Sequence, residues 1–403
     1  MNPGGRACSN VRPRQGLPEG PPRRGRPSSR SLTRPDARAP LHQRFKLEPS
    51  PAWRKSRFGD LLVAIRKTTI VLGAGSSVGF KLPAGPALGA TIAAMVTFIY
   101  EEGYKRSKGD AGIHDYFVAQ GNSEAQKLWA AAARVAEGLP YSLSIDDFLY
   151  KHGHDPQMIK TGKLAIARAI LNAERSSILK HIEARERLVQ DAALGSAGGS
   201  WLNQLLILLQ SNLQKTRIAD VFNGLTIINF NYDRCVEYYV FHAMQRAFRI
   251  DSDQASSLMK NLHIIHPYGK VGALPWEGTA IPFGQSIGGM ELGRISEQIL
   301  TFTEQSHDEE DLREIQKAIQ QCEMLLFLGF AFHPQNMQLL DGPGPHQSKR
   351  IFGTAFRESG FTRDVFVSRV TSLVGLERID GVANLFDMDC DTFMSNFGLA
   401  ILA

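Results

Sequence analysis

Four short apolar runs constrain the fold of this chain more than any other feature. The runs are 68–72, 225–230, 262–266 and 324–330. Each is rich in β-branched or aromatic residues, and a glycine, an asparagine or a histidine lies at its end or directly after it. Buried strands of a parallel sheet have this pattern, because both faces are covered and polar residues begin only where the strand ends. A fifth run, 350–356, predicts one more strand.

Between these runs, apolar residues recur at helical spacing. The predicted helices are 86–100, 123–137, 163–188, 201–213, 234–248, 304–321 and 387–397, and LGSAGGS at 194–200 predicts a flexible joint. Strands that alternate with helices predict an α/β fold. We expect a Rossmann-like, doubly wound, mostly parallel sheet with a large helical insertion at about 101–222.

Charge is distributed unevenly along the 403 residues, whose formal net charge is +6. Residues 1–58 contain fourteen Lys and Arg against three acidic residues, whereas the remainder contains 32 basic and 37 acidic residues. The first segment has too little apolar surface to offset its ordering entropy, which predicts a disordered basic extension before a domain at 59–403. Such a tail can contact nucleic acid, but a solvated extension or a misassigned start codon also explains it, and we expect nucleic acid binding nowhere else.

Cysteine usage and hydropathy indicate the compartment. Four cysteines occur, Cys8, Cys235, Cys322 and Cys390, without any CxxC pair, which argues against a zinc ribbon or a disulfide framework and favours the cytoplasm. The uncharged stretch 82–100 is interrupted by prolines and glycines, so it predicts a buried helix and no membrane span. We also expect no metal site, because the histidines of KHGHD (151–155) lack further ligands at suitable spacing.

The first candidate binding segment is GAGSS, Gly73 to Ser77, directly after a predicted strand. Loops at the carboxyl ends of parallel strands converge on one crevice, so the polar segments after the four runs should meet there. Glycines let the backbone approach an anion closely, and a following helix directs its amides at it. The alternative is an ordinary tight connection between strand and helix.

The next two segments carry candidate catalytic groups. In NFNYD, the Asn231 carboxamide can hold a water or a ribose hydroxyl, and the Asp233 carboxylate can accept hydroxyl protons or stabilise a developing cation. The alternative is helix capping by both residues. In HPYG, the His266 imidazole can accept a proton near neutral pH, or be a satisfied structural histidine, and His333 in GFAFHPQN carries the same alternatives.

In this order, GAGSS, NFNYD, HPYG and GFAFHPQN resemble the motifs of the sirtuin-like NAD-consuming family, in particular its bacterial branch in anti-phage defence. The resemblance spans about 68–340 in four islands. It implies a Rossmann-like domain that holds NAD+, with Asn231 and Asp233 beside the nicotinamide ribose. The cofactor-binding residues that it implies are Gly73, Ala74, Gly75, Ser76, Gly329, Phe330 and Asn336.

Three features depart from the deacetylating members of that family. VGFKLPAG (78–85) replaces their DFR-type element, and their four-cysteine zinc module is absent. Tyr268 stands directly before Gly269, where the family commonly has its histidine, and His266 lies two positions earlier. The first two departures weigh against a protein deacetylase.

The resulting hypothesis is a sirtuin-like NAD+ hydrolase that cleaves the nicotinamide–ribose bond to nicotinamide and ADP-ribose, and the resemblance implies a role in anti-phage defence. Asn231, His266 and Asp233 are its predicted catalytic residues, and NAD+ is its substrate. The alternatives are an NAD-dependent protein deacylase or ADP-ribosyltransferase, and a non-catalytic module that senses NAD or ADP-ribose. Formation of a homo-oligomer or binding of a partner protein would trigger the NAD+-cleaving activity.

Overall fold

The computed structural model describes residues 66–101, 105–182, 195–211, 213–278, 280–306, 308–343, 349–375 and 383–402. The chain from Leu61 to Ala403 groups into one compact unit. The predicted extension 1–58 lies outside the described residues.

The strands within the described residues are, in chain order, β1 (Thr68–Leu72), β2 (Ile99–Glu101), β3 (Lys105–Lys108), β4 (Leu225–Asn229), β5 (His263–Ile265), β6 (Met324–Leu328), β7 (Arg350–Thr354) and β8 (Ala383–Phe386). Six of them form one parallel sheet in the order β5-β4-β1-β6-β7-β8. β2 and β3 pair separately as an antiparallel hairpin.

The α-helices are α1 (Gly85–Val96), α2 (Ala111–Ala119), α3 (Asn122–Gly138), α4 (Ile145–Lys151), α5 (Pro156–Ser176), α6 (Trp201–Gln210), α7 (Cys235–Phe248), α8 (Ser252–Met259), α9 (Gly289–Ser296), α10 (Phe302–Ser306), α11 (Glu309–Gln321), α12 (Pro334–Leu340), α13 (Gly360–Leu373) and α14 (Cys390–Leu402). Short 3-10 helices lie at Ala74–Phe80, Leu139–Tyr141, Ile178–His181 and Lys215–Asp220. This arrangement confirms the α/β fold with helical insertions.

The sheet has a hydrophobic core on each face. Successive residues of a strand point to opposite faces, so Val71 packs with α1 to α5, whereas Ile70 and Leu72 pack with α6 and α7. All five residues of β1 and of β6 are buried, as expected for central strands. Helices α1 to α5 therefore border one face of the sheet, and α6 and α7 border the other.

The register aligns the carboxyl ends of the central strands. Leu72, the last residue of β1, pairs with Asn229 of β4 and with Leu328 of β6. The segments that follow these strands consequently begin at the same edge of the sheet.

Two predicted helices have different bounds in the structure. The helix predicted for 86–100 ends at Val96, and β2 begins at Ile99. Residues 97–100 read TFIY, and β-branched and aromatic residues of this kind favour the extended conformation that pairing with β3 stabilises. The helix predicted for 163–188 begins at Pro156, where the Asp155 side chain accepts two backbone N–H bonds, and α5 ends at Ser176.

Local patterns also missed some elements. β8 and α13 were not predicted, and residues 195–197 of the predicted joint form a helical turn. β8 reads ANLF and is only half-buried, so it lacks the continuous β-branched composition of the central strands. Within the described ranges, no helix combines the length and apolar character that crossing a bilayer requires.

Candidate functional site

The candidate site lies at the carboxyl edge of the sheet. From β1 the chain continues to β4 and β5 on one side, and then returns to place β6 on the other side of β1. The boundary between β1 and β6 is the topological switch point, where open α/β sheets usually bind their ligands. At this boundary the GAGSS segment (Gly73 to Ser77) follows β1, and Gly329 follows β6.

These two turns contact each other through their backbones. The Gly73 amide donates to the Leu328 carbonyl (3.1 Å) and the Gly75 amide to the Gly329 carbonyl (3.0 Å). A Cβ on Gly73 would lie 2.6 Å from the Gly329 oxygen, and one on Gly329, whose φ is +61°, would lie 2.1 Å from the Ser76 nitrogen. The glycines are therefore required for this close packing, whatever else they bind.

Gly73 is the N-cap of a 3-10 helix, Ala74–Phe80, which contains the rest of GAGSS. The next α-helix, α1, begins only at Gly85. Neighbouring elements hold this short helix in place. The Trp201 indole donates to the Ser76 carbonyl (2.8 Å), and the Ser177 hydroxyl donates to the Phe80 carbonyl (2.8 Å). The predicted binding residues Gly73, Ala74, Gly75 and Ser76 thus belong to a turn fixed from several sides.

The Asn231 carboxamide reaches this turn. Its Nδ2 donates to the hydroxyl oxygens of Ser76 and Ser77, both at 3.1 Å. Its backbone amide donates to the Asn229 side chain (3.1 Å), which fixes the bend after β4. Asn231 is 6% exposed and both serines are buried, so the contact is internal. NFNYD and GAGSS therefore meet, although 154 residues separate Ser77 from Asn231.

Asp233 is also buried, at 3% exposure. Its Oδ1 accepts the Cys235 amide (3.0 Å) at the start of α7, which is the capping contact that the sequence left open. Burial raises the pKa of Asp233, and hydrogen bonds from Cys235 and Ser77 offset only part of this effect. Asp233 thus caps the start of α7 and lies buried two residues after Asn231.

His266 is bonded at both ring nitrogens. Its Nε2 lies 2.8 Å from Glu237 Oε1, and its Nδ1 lies 3.3 Å from the Asn231 carbonyl oxygen. Lys270 Nζ contacts the same Glu237 oxygen at 3.0 Å. Burial raises the pKa of Glu237, but the charges of His266 and Lys270 outweigh it and hold that pKa well below its usual value.

This geometry limits what His266 can do. A carbonyl oxygen and a carboxylate are both acceptors, so the ring satisfies both only when each nitrogen carries a proton. The arrangement is that of a satisfied histidine, and a proton-accepting role would require one of these bonds to break.

Two further hydrogen bonds involve the tyrosines of NFNYD and HPYG. The Tyr232 hydroxyl donates to Asp146 of α4, and the Tyr268 hydroxyl donates to Asn336 Oδ1 at 2.6 Å. Burial lowers the pKa of His333, and the Asp146 charge opposes the shift. The predicted binding residue Asn336 therefore contacts the tyrosine that stands before Gly269.

Phe330 packs against the rings of Phe230 (5.2 Å between centroids) and Phe332 (5.2 Å). The segments after β4 and β6 thus also share an apolar contact.

Sequence reasoning missed one buried ion pair. Arg234 and Glu174 have no exposed side-chain surface, and they join at Nη2–Oε2 (2.6 Å) and Nε–Oε1 (3.1 Å). Arg234 Nη1 also donates to the Ile281 carbonyl (2.6 Å). The pair connects α5 of the helical insertion to the residue next to Asp233. A charged residue within an apolar helical stripe was the only local indication of Glu174.

Asp146 was also missed, although the sequence SLSIDD contains a helix start. Ser144 caps α4, since its hydroxyl accepts the Asp147 amide, and this cap places Asp146 in the first turn. No local pattern indicates that this turn contacts Tyr232.

Comparison with known proteins gives no assignment: no protein-family model matches the chain, and no curated protein matches it. Across the part of the chain that the structure describes, no group of three or more His, Cys, Asp or Glu side chains is placed to hold a metal ion.

Proposed function

We propose that this chain is a sirtuin-like NAD+ glycohydrolase. The observation that carries the proposal is the bonding of the Asn231 carboxamide to Ser76 and Ser77, with the buried Asp233 two residues further along the chain. Residues from two of the motif islands meet there, beside the switch point of the sheet, and His266 of a third contacts the Asn231 carbonyl. A crevice at this edge is where a dinucleotide is expected in such a fold.

The reaction exchanges one bond at the ribose. The bond between C1′ and the nicotinamide nitrogen breaks, and its electron pair neutralises the charged pyridinium. Water forms the new bond to C1′ and releases a proton, which yields nicotinamide, ADP-ribose and H+. Because C1′ becomes cation-like, a carboxylate and a carboxamide are suitable groups beside it.

Each residue has a distinct role in this proposal. Asn231 positions the attacking water and Asp233 stabilises the ribose. His266 first releases one of its two ring protons to water, together with the hydrogen bond that this proton makes, and the freed nitrogen then accepts a proton from the ribose hydroxyls. Gly73, Ala74, Gly75 and Ser76 contact the diphosphate and its ribose, and Gly329, Phe330 and Asn336 complete the cofactor site.

The described conformation is closed. Ser76, Ser77, Asn231 and Asp233 are each at most 6% exposed, so the substrate can reach them only after their covering elements move. A closed resting state suits a toxic activity that a partner protein or a homo-oligomer releases, as anti-phage defence would require.

A non-catalytic NAD or ADP-ribose sensor is the second candidate. The two hydrogen bonds of His266 favour the sensor, because a histidine whose ring nitrogens both have a hydrogen-bond partner has a structural role without any proton exchange. For either function we propose the cytoplasm, which the three buried free thiols Cys235, Cys322 and Cys390 support.

Mass spectrometry of NAD+ incubated with the protein tests the proposal. We expect nicotinamide and ADP-ribose, and a rate about a hundredfold lower in Asn231→Ala, because the side chain that positions the attacking water is lost. The control is Asn261→Ala, which removes an exposed asparagine and should leave the rate unchanged. Saturable NAD+ binding without cleavage would favour the sensor, modified protein would favour a transferase, and neither binding nor cleavage would contradict the proposal.

A further inference from the structure

A cleft of about 420 Å³ opens on the outer side of the 3-10 helix Ala74–Phe80. The residues that follow this helix, together with α1 and α5, form its walls, which include Lys81, Leu82, Pro83, Met95, Asn172 and Ala173. Its volume lies within the range of about 300–1,000 Å³ that is usual for small-molecule sites. The candidate catalytic residues are not part of its lining.

The lining indicates what chemistry would fit. Its walls are mainly apolar, with the Asn172 carboxamide and the Thr91 hydroxyl as neutral polar groups. Among the described residues that line it, Lys81 alone carries a charge. A complementary ligand therefore has an apolar body and one negative charge.

Lys81 also has an unusual backbone conformation. Its φ is +68°, in the left-handed region, and its amide ends the 3-10 helix by donating to the Val78 carbonyl (2.8 Å). A side chain in this region costs about 1–2 kcal/mol relative to a right-handed conformation, and glycine is the residue that avoids the cost. The cap fixes the backbone of Lys81 beside the cleft, and its side chain is exposed to solvent.

Both walls of the cleft connect to the candidate site. One wall includes Val78 of the 3-10 helix, in which Ser76 and Ser77 bond Asn231. The other wall is α5, where Ala173 precedes Glu174, the partner of Arg234. Any ligand that separates the two walls consequently acts on both sets of contacts that hold the site closed.

We propose that this cleft binds a small organic anion and that its binding opens the candidate site; the second part rests on the proposed function. The anion binds more tightly to the conformation in which the walls are apart, and it therefore increases the population of the open site. The anion is an activator and not the substrate.

The probe for binding is 8-anilinonaphthalene-1-sulfonate, an aromatic body with one sulfonate, titrated into the full chain by fluorescence. We expect saturation of a single class of sites. Ala173→Trp and Thr91→Trp, which fill the cleft from opposite walls, should each weaken binding by more than about tenfold. Lys81→Gln should weaken it by about three- to fivefold and reduce its dependence on salt.

Matched controls separate the cleft from general surface binding. Ala130→Trp places the same indole on an exposed face of α3, and Lys260→Gln removes an exposed lysine elsewhere; neither should change binding. Circular dichroism identifies variants that fail to fold, and the two tryptophan variants lie on different helices, so either one suffices. Unchanged binding in the folded cleft variants would overturn the proposal.

Regulation is read out in two independent ways. The anion should increase NAD+ cleavage in the wild type but not in Ala173→Trp, and it should speed amide exchange at residues 74–80 and 231–235. Competition between NAD+ and the probe would overturn the activator role, because the cleft would then belong to the substrate. If neither the wild type nor any variant cleaves NAD+, the proposed function fails. The amide hydrogen exchange of residues 74–80 and 231–235 still decides whether the anion opens the site.

Discussion

At the scale of single residues, Gly329 shows how a motif residue can have a structural cause. Its positive φ and its approach to Ser76 leave no space for a side chain. The glycines after β1 and β6 therefore join two turns, and ligand binding is not needed to explain why glycine occupies these positions.

Gly329→Ala should lower the free energy of unfolding by about 3 kcal/mol, because the new Cβ is strained and also collides with the backbone. Urea denaturation measures the effect. Gly85→Ala is the control: no atom lies within 4 Å of the added Cβ, so stability should change by less than about 0.5 kcal/mol. Equal stability of both variants would contradict the packing argument.

Glu237 gives a prediction with a definite pH dependence. Its folded pKa lies below its usual value of 4.5, so its stabilising contribution is full above that pH and declines as the pH falls toward the folded pKa. Glu237→Gln should therefore cost about 3 kcal/mol at neutral pH, and the difference from the wild type should shrink progressively below about pH 4.5.

Unfolding curves at several pH values measure this difference. The exposed Glu323 provides the control, since Glu323→Gln should leave stability unchanged across the same range. A Glu237→Gln cost that stays constant down to pH 3 would contradict the charge network with His266 and Lys270.

At the scale of elements, the contact between α5 and the segment after β4 is decisive. A fully buried Arg–Glu pair is costly to desolvate, so it adds little to the net free energy of unfolding. Removing either partner leaves a buried charge unpaired, so the pair fixes the two elements relative to each other. Helix α5 is therefore tied to the candidate site, because its last turn holds the residue next to Asp233.

Glu174→Gln should lower the free energy of unfolding by about 3–5 kcal/mol, because Arg234 is left buried without a counter-charge. The double variant Glu174→Leu with Arg234→Met should recover most of that loss. If the pair positions Asn231, NAD+ cleavage should remain low in the stable double variant. Full activity in that variant would show that the pair stabilises the fold without positioning the site.

At the scale of the whole molecule, the sign of the charge differs between segments. The first 58 residues hold fourteen basic and three acidic residues, whereas the remainder has more acidic than basic ones. The overall charge of +6 therefore describes the segment at one end and not the α/β domain.

Removing residues 1–58 should reverse the behaviour on ion-exchange resin at neutral pH. The full chain should bind a cation exchanger, and the shortened chain should bind only an anion exchanger, because its formal charge is negative. Any salt-dependent binding of the full chain to a DNA duplex should disappear at the same time. DNA binding by the shortened chain would instead indicate a basic surface on the domain.

The amino-acid sequence by itself predicted the central strands and about half of the described α-helices. β1, β4 and β6 are buried on both faces, so their β-branched runs are visible without any knowledge of their partners. It also determined that the polar segments after these strands begin at one edge. β8 was not predictable in this way, because pairing with β7 at the sheet border defines it more than its own composition does.

Only the tertiary structure decided how the candidate residues are bonded. Glu237, Glu174 and Asp146 lie on helices whose local sequence gives no sign of His266, Arg234 or Tyr232 as partners. Periodicity records which face of an element is buried, whereas hydrogen bonds between distant segments depend on how the elements pack. The sequence therefore predicted where a site should form, and packing determined that it is closed and which charges hold it.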